Sequence, residues 1–165
     1  MKSMCFLLKV KKVFGIVVMA ILVNCSSVAD TAIAQQDSLP PKRTGFEIES
    51  WAYDRSNFTV FLNQYRAGGP PMIAYGGTIP ASVEYDIPFP AAGKYQFAML
   101  AAVQGKRPLT VFLDNKEIGK ICSEKTTKSW NTIDAQWFAP LEIEIDKEGV
   151  HTLKLVADIP PPHLV

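Results

Sequence analysis

From Ser82 to Phe89 apolar and polar residues alternate without a break, with Val83, Tyr85, Ile87 and Phe89 set against Ser82, Glu84, Asp86 and Pro88. Leu141–Asp146 repeats the pattern, Leu141, Ile143 and Ile145 alternating with Glu142, Glu144 and Asp146. Successive side chains of a strand leave opposite faces, so period two means one face on a core and one in water. That is the mark of a half-buried antiparallel strand. Further strands read at Phe46–Ser50, Phe58–Leu62, Lys94–Val103, Leu109–Leu113, Lys116–Cys122 and His151–Ala157. Turn chemistry separates them: Pro90-Ala91-Ala92-Gly93, the tight pair Asp114-Asn115, and Lys147-Glu148-Gly149. Beyond the N-terminal segment no run of ten residues shows a helical period. From Gly45 onward the chain reads as all-β, with about eight short strands in a sandwich or jelly roll.

The N-terminus follows a different rule. Lys2, Lys9, Lys11 and Lys12 precede the apolar run Val13–Val23, and the first acid is Asp30. A cationic start followed by a short apolar run reads as a secretory leader, too short for a permanent membrane span. Ala32-Ile33-Ala34 offers a cleavage site before Gln35, and Ser27-Val28-Ala29 an earlier one. Cys25 after Leu22-Val23-Asn24 would serve lipid anchoring, although Asn24 stands where such sites carry a small residue. The reading is therefore a signal peptide over 1–34, a polar linker over 35–44, and an exported sandwich over 45–165. The whole chain holds 17 Lys+Arg and 16 Asp+Glu. The leader takes four lysines and one acid with it, so the exported part is mildly acidic. A basic nucleic-acid surface is excluded.

Cys5 and Cys25 fall in the leader, and Cys122 alone remains, so no internal disulfide can form. Cys122 reads as a small buried apolar residue. At the other end, Pro160-Pro161-Pro162 cannot continue a ladder, because proline lacks the N–H donor. The strand expected to close the sandwich against the first one is missing. Either the chain is a fragment of a longer protein, or the sheet keeps an unprotected edge.

Several stretches in order carry a resemblance. Phe46-Glu47-Ile48-Glu49 comes first, then Val83–Tyr95 with its Pro90-Ala91-Ala92-Gly93 corner, and Leu109–Lys116. Ser129-Trp130-Asn131-Thr132 and Gly149–Leu155 follow. Over residues 45–165 the chain resembles carbohydrate-binding modules of families 6 and 35. The resemblance implies a galactose-binding-like β-sandwich, a non-catalytic role, and a place in a large secreted bacterial multidomain protein.

Two sites follow. Glu47 and Glu49 stand at i and i+2, on one face of the expected first strand, where two carboxylates repel unless a cation lies between them. The resemblance implies a structural calcium there, closed by an aspartate of the final strand; Val165 stands about where that residue would fall. A solvated polar face is the alternative. For a polysaccharide or glycan, aromatic faces must stack on pyranose C–H groups while amides and acids reach hydroxyls. Tyr75 before Gly76-Gly77, Trp130 with Asn131, and Trp137 are the candidates. The related modules often carry a second tryptophan in a W-x-x-W spacing, but Ile133 takes that place here. Trp137 would supply a replacement, or both tryptophans simply cap the sandwich. No catalytic constellation is recognised: Asp54, Glu84, Asp86 and Asp134 match no acid–base spacing, and no nucleophile elbow, zinc motif or phosphate loop occurs. A structural or protein-docking sandwich that has lost sugar binding is the second reading.

Overall fold

The computed structural model describes residues 9–12, 45–62 and 69–165. The apolar run Val13–Val23, both cleavage sites, Cys5, Cys25 and the linker lie outside the described residues. Among those described, twelve strands and one short 3-10 turn form two antiparallel sheets. In chain order the strands are β1 (Lys9–Lys12), β2 (Gly45–Phe46), β3 (Arg55–Ser56), β4 (Thr59–Phe61), β5 (Met72–Ala74) and β6 (Ala81–Phe89). They continue as β7 (Gly93–Ala102), β8 (Leu109–Leu113), β9 (Lys116–Ile121), β10 (Gln136–Ile145), β11 (Gly149–Ala157) and β12 (His163–Leu164). One sheet runs β3-β6-β11-β8-β9. The other runs β2-β1-β7-β12-β5-β4, with β10 on the second edge of β7.

The alternating pattern does what its period dictates. Val83, Tyr85, Ile87 and Phe89 are all buried, and they face Tyr95, Phe97, Met99, Phe138, Ile143 and Ile145 from the other sheet. Burying each such side chain contributes roughly 1.5–3 kcal/mol. Pro88 is tolerated in β6 because the N–H two residues earlier, on Asp86, points to the open side and is met there by Asp54 Oδ2 at 2.7 Å. The turn Asp114-Asn115 has φ of 49° and 68°, the left-handed pair that a two-residue hairpin requires. Cys122 is buried, and burial pushes its thiol up to about 12, as suits an inert apolar residue.

Three differences from the sequence reading have local causes. β10 begins at Gln136, five residues early, because one extra residue between Phe138 and Leu141 bulges the strand and breaks its alternation. The first strand stops at Phe46: the ladder to β1 ends there, and the Ala52 N–H closes a turn onto the Glu49 carbonyl at 2.9 Å. Glu47 and Glu49 therefore sit on irregular backbone, not on one strand face. Finally, a two-residue strand, β12, does follow the prolines, since His163 and Leu164 again supply N–H donors. Lys9–Lys12, assigned by the sequence reading to the leader, pairs between β2 and β7.

The end of the sandwich at Phe89 and Gly149 carries a pH-sensitive clasp. His151 is buried between two acceptors, Asp114 Oδ2 at 2.6 Å from Nδ1 and the Lys147 carbonyl at 3.0 Å from Nε2. Only the imidazolium donates to both. The Asp114 contact raises the His151 pKa above 6.5. Burial pushes the Asp114 carboxyl up, but His151 and the Thr152 N–H outweigh it and hold it below the usual range. The raised histidine contributes stability fully present below its unfolded pKa, which is lost as pH rises through the folded one. The lowered Asp114 contributes above its unfolded pKa and loses that contribution in acid. The clasp is therefore strongest between about pH 4 and 6.5. Thermal midpoints measured from pH 5 to 9 should fall through the histidine titration, and His151→Gln should flatten that fall.

Candidate functional site

The register fixes which loops share an end. Ala81 pairs with Ala157, Leu109 with Ile121, and His163 with Ala102, which places the β5–β6, β7–β8, β9–β10 and β11–β12 loops together. Tyr75 leaves β5 at this end, and Trp130 and Asn131 lie in the β9–β10 loop. Three of the four sugar-site candidates thus come from one end of the sandwich. Trp137 lies just inside it, on β10 opposite Leu100.

Each loop is held in place. Asn57 spans the Tyr75 loop, its Nδ2 donating to the Pro80 carbonyl at 3.0 Å and its Oδ1 accepting from the Ser82 N–H at 2.7 Å. The Asn57 side-chain amide is thus committed to a structural bridge. Gly76 is required for packing: a Cβ there would lie 2.5 Å from the Asn57 carbonyl oxygen. Thr127 ties the β9–β10 loop to β7, accepting from the Val103 N–H at 2.8 Å and donating to a neighbouring carbonyl. The 3-10 turn Thr132–Asp134 then projects Ile133, which is 67% exposed.

Trp130 is not an open platform. It is half-buried against the core, its ring lies 4.9 Å from the His163 ring, and the Arg107 guanidinium sits 5.6 Å from its centroid. His163 Nδ1 donates to the Trp130 carbonyl at 2.9 Å, and Arg107 Nη1 donates to the Pro160 carbonyl at 3.3 Å. Burial pushes the His163 pKa down, against the opposing pull of its bond to the Trp130 carbonyl. These contacts lock three loops around the indole. Tyr75 and Trp137 are the exposed aromatics of the set, 38% each. Sequence reasoning missed Ile79 and Ile159, which are exposed on the β5–β6 and β11–β12 loops of the same end. Each stands beside a proline, and that neighbourhood was the available signal.

The carboxylates weighed as acid–base pairs have other occupations. Arg55 bridges Glu84 and Asp86, the latter in a two-pronged contact at 2.9 and 2.8 Å, and Lys154 adds a second cation on Glu84 at 3.0 Å. Arg55 and the Thr152 hydroxyl hold the Asp86 carboxyl down to about 2. Asp134 accepts from Ser129 Oγ at 2.6 Å. Arg55, Glu84, Asp86, Thr152 and Lys154 thus form a cross-strand polar ladder across β3, β6 and β11, while Asp134 stands apart in the β9–β10 loop. Glu47 is exposed and Glu49 half-buried, and among the described residues no group of three His, Cys, Asp or Glu gathers to hold a metal. The two carboxylates there supply at most four of the six to eight oxygens calcium takes, and that only if both bind bidentately, leaving carbonyls or water to complete the shell. No helix among the described residues is long and apolar enough to cross a membrane.

No family model matches the sequence, and no curated protein matches it. Among solved structures the chain is similar to the native family 35 carbohydrate-binding module from Clostridium thermocellum, at 16% identity and TM-score 0.54, over 66% of this chain and 83% of that one. It is also similar to a family 6 carbohydrate-binding module solved for dissection of its binding sub-sites, at 22% identity and TM-score 0.50, over 71% and 86% of the two chains. At these identities the likeness is one of fold, and the fold is that of a carbohydrate-binding module.

Proposed function

We propose that the protein is an exported, non-catalytic module that binds a polysaccharide or glycan through the loops at the Tyr75 end. The observation that carries this reading is the gathering of Tyr75, Ile79, Ile133 and Ile159 as exposed apolar groups on three rigidly tied loops of one end. Asn131 is exposed on the same loop as Ile133. Apolar faces would cover pyranose C–H surface, and polar groups beside them would reach hydroxyls. Rigid loops limit the entropy lost on binding. Trp137 extends this surface along β10, next to Leu100.

Affinity electrophoresis in gels containing plant and microbial polysaccharides tests the proposal. The full chain should be retarded by at least one of them, and Tyr75→Ala and Trp137→Ala should each weaken retardation about tenfold, near 1.4 kcal/mol. Unchanged retardation in both variants would move binding elsewhere.

A second reading, a structural or protein-docking sandwich without sugar binding, is favoured by the enclosure of Trp130 and by Ile133 at the second tryptophan place. Absence of retardation by any polysaccharide would select it.

Calcium at Glu47 and Glu49 belongs to the proposal as a structural adjunct, supported by the presence of two carboxylates two residues apart on the irregular backbone after β2, the shared strand face being absent. A ligand that binds only the folded state raises the melting midpoint. Calcium should therefore raise it relative to chelator, and Glu49→Gln should remove the difference. Identical midpoints with calcium and chelator would end the idea.

A further inference from the structure

β6 starts beside the place where β11 ends. The ladder between them closes with Ala81 opposite Ala157, both fully buried on the core face. Two places beyond that pair, in the same phase of the alternation, stand Ile79 and Ile159. Period two assigns such places to the core, yet each isoleucine is 40% exposed. Each is followed by a proline whose carbonyl is clamped from elsewhere in the chain. Asn57 Nδ2 donates to the Pro80 carbonyl at 3.0 Å, and Arg107 Nη1 donates to the Pro160 carbonyl at 3.3 Å. A residue before proline is steered toward extended backbone. Two tethered Ile-Pro units thus leave the end of one ladder with their aliphatic side chains partly in water.

Side-chain chemistry limits what this surface rewards. Among the exposed large apolar side chains on the loops of this end, Ile79, Ile133 and Ile159 are aliphatic and only Tyr75 is aromatic. An aromatic face carries a quadrupole and can stack on the C–H groups of a plain pyranose. Isoleucine has no such face, and it offers only dispersion and the removal of apolar surface from water. A sugar hydroxyl pressed against it loses water without gaining a partner, which is unfavourable. A methyl group in the same place meets no such penalty. Beside Ile133, Asn131 is exposed and does not spend its side chain on capping the 3-10 turn. Its amide donors suit the carbonyl that an acetyl group carries next to its methyl.

We propose that this end of the sandwich selects sugar units bearing a methyl-terminated substituent, either an acetyl group or the C6 methyl of a 6-deoxyhexose. The substituent sits on Ile79 and Ile159, with Ile133 beside it. This selection rests on the sugar reading and narrows it to a substrate class.

Matched methyl glycosides, titrated into the full chain and followed by amide chemical shifts, test it. The pairs are N-acetyl-D-glucosamine against D-glucose, and L-fucose against L-galactose. In the first an acetamido group replaces a hydroxyl, and in the second a methyl replaces a hydroxymethyl. In at least one pair the methyl-bearing sugar should bind about fourfold tighter or better, the value of one buried methyl-sized group. The pair that shows the preference identifies the substituent. Ile79→Thr and Ile159→Thr keep the branched shape but add a hydroxyl, and each should remove most of the preference. Ile133→Thr, on a side chain 67% exposed, decides the matter where those two fail to fold. Equal affinities within both pairs, while a polysaccharide still retards the chain, would overturn the inference and leave the sugar reading standing. A preference that survives substitution in the folded variants would overturn it as well. No bound sugar and no retarding polysaccharide would sink the sugar reading, and the inference with it.

Discussion

Tyr85→Asp should leave the protein without a cooperative unfolding transition. The ring is buried at the middle of β6, and its hydroxyl donates to the Ser50 carbonyl at 2.6 Å. Ser50 in turn donates from Oγ to the Leu164 carbonyl at 3.1 Å. One side chain therefore joins β6 to the segment after β2 and, through it, to β12. Losing the buried ring costs about 3–5 kcal/mol. A carboxylate in that place adds several kcal/mol for an unpaired charge or for the proton needed to neutralise it. The sum is comparable with the whole stability of a domain this size, about 5–15 kcal/mol. Tyr85→Phe separates the two contributions, because it keeps the ring and strands only the Ser50 carbonyl, at about 1–3 kcal/mol. Circular dichroism melts should show no transition for the aspartate variant and a lowered midpoint for the phenylalanine variant. A wild-type midpoint in Tyr85→Asp would contradict the placement of β6 in the core.

Trp130→Ala is expected to destabilise the fold by about 3 kcal/mol, the lower part of the range for a large aromatic because the indole is only half-buried. The indole is where the β7–β8, β9–β10 and β11–β12 segments meet, through Arg107, its own carbonyl and His163. Its removal should lower the urea midpoint and loosen all three loops together. Tyr75→Ala, on an exposed side chain, should leave the midpoint nearly unchanged. The contrast separates a residue that builds the site from one that faces its ligand. A Trp130→Ala variant with a normal midpoint and abolished polysaccharide binding would reverse that division.

The fold was legible where residues repeat a period long enough to be seen. β6 and the later part of β10 alternate cleanly, and Asp114-Asn115 is a hairpin turn in sequence as in structure. Arg55–Ser56, Met72–Ala74 and His163–Leu164 span two or three residues and cannot show a period at all. Their pairing is decided by tertiary neighbours. The bulge in β10 hid half of a strand, since one inserted residue shifts every later side chain to the opposite face.

The candidate site was legible in residue type and in loop. Tyr75, Trp130 and Asn131 were singled out from composition and spacing, and the register brings them to one end. The enclosure of Trp130 was not legible, because Arg107 and His163 reach it from loops remote in the sequence. Nor were Ile79 and Ile159 singled out, although the proline beside each marked a loop; both are exposed there.

The account places ligand binding at the Tyr75 end of the sandwich. Titration of an oligosaccharide, selected on a glycan array, into isotope-labelled protein tests that placement directly by amide chemical-shift changes. The largest changes are expected at Tyr75–Ile79 and Trp130–Ile133, with Asp114–Asn115 and Lys147–Gly149 at the opposite end unmoved. Changes confined to those opposite turns, or an array with no bound glycan at all, would contradict it.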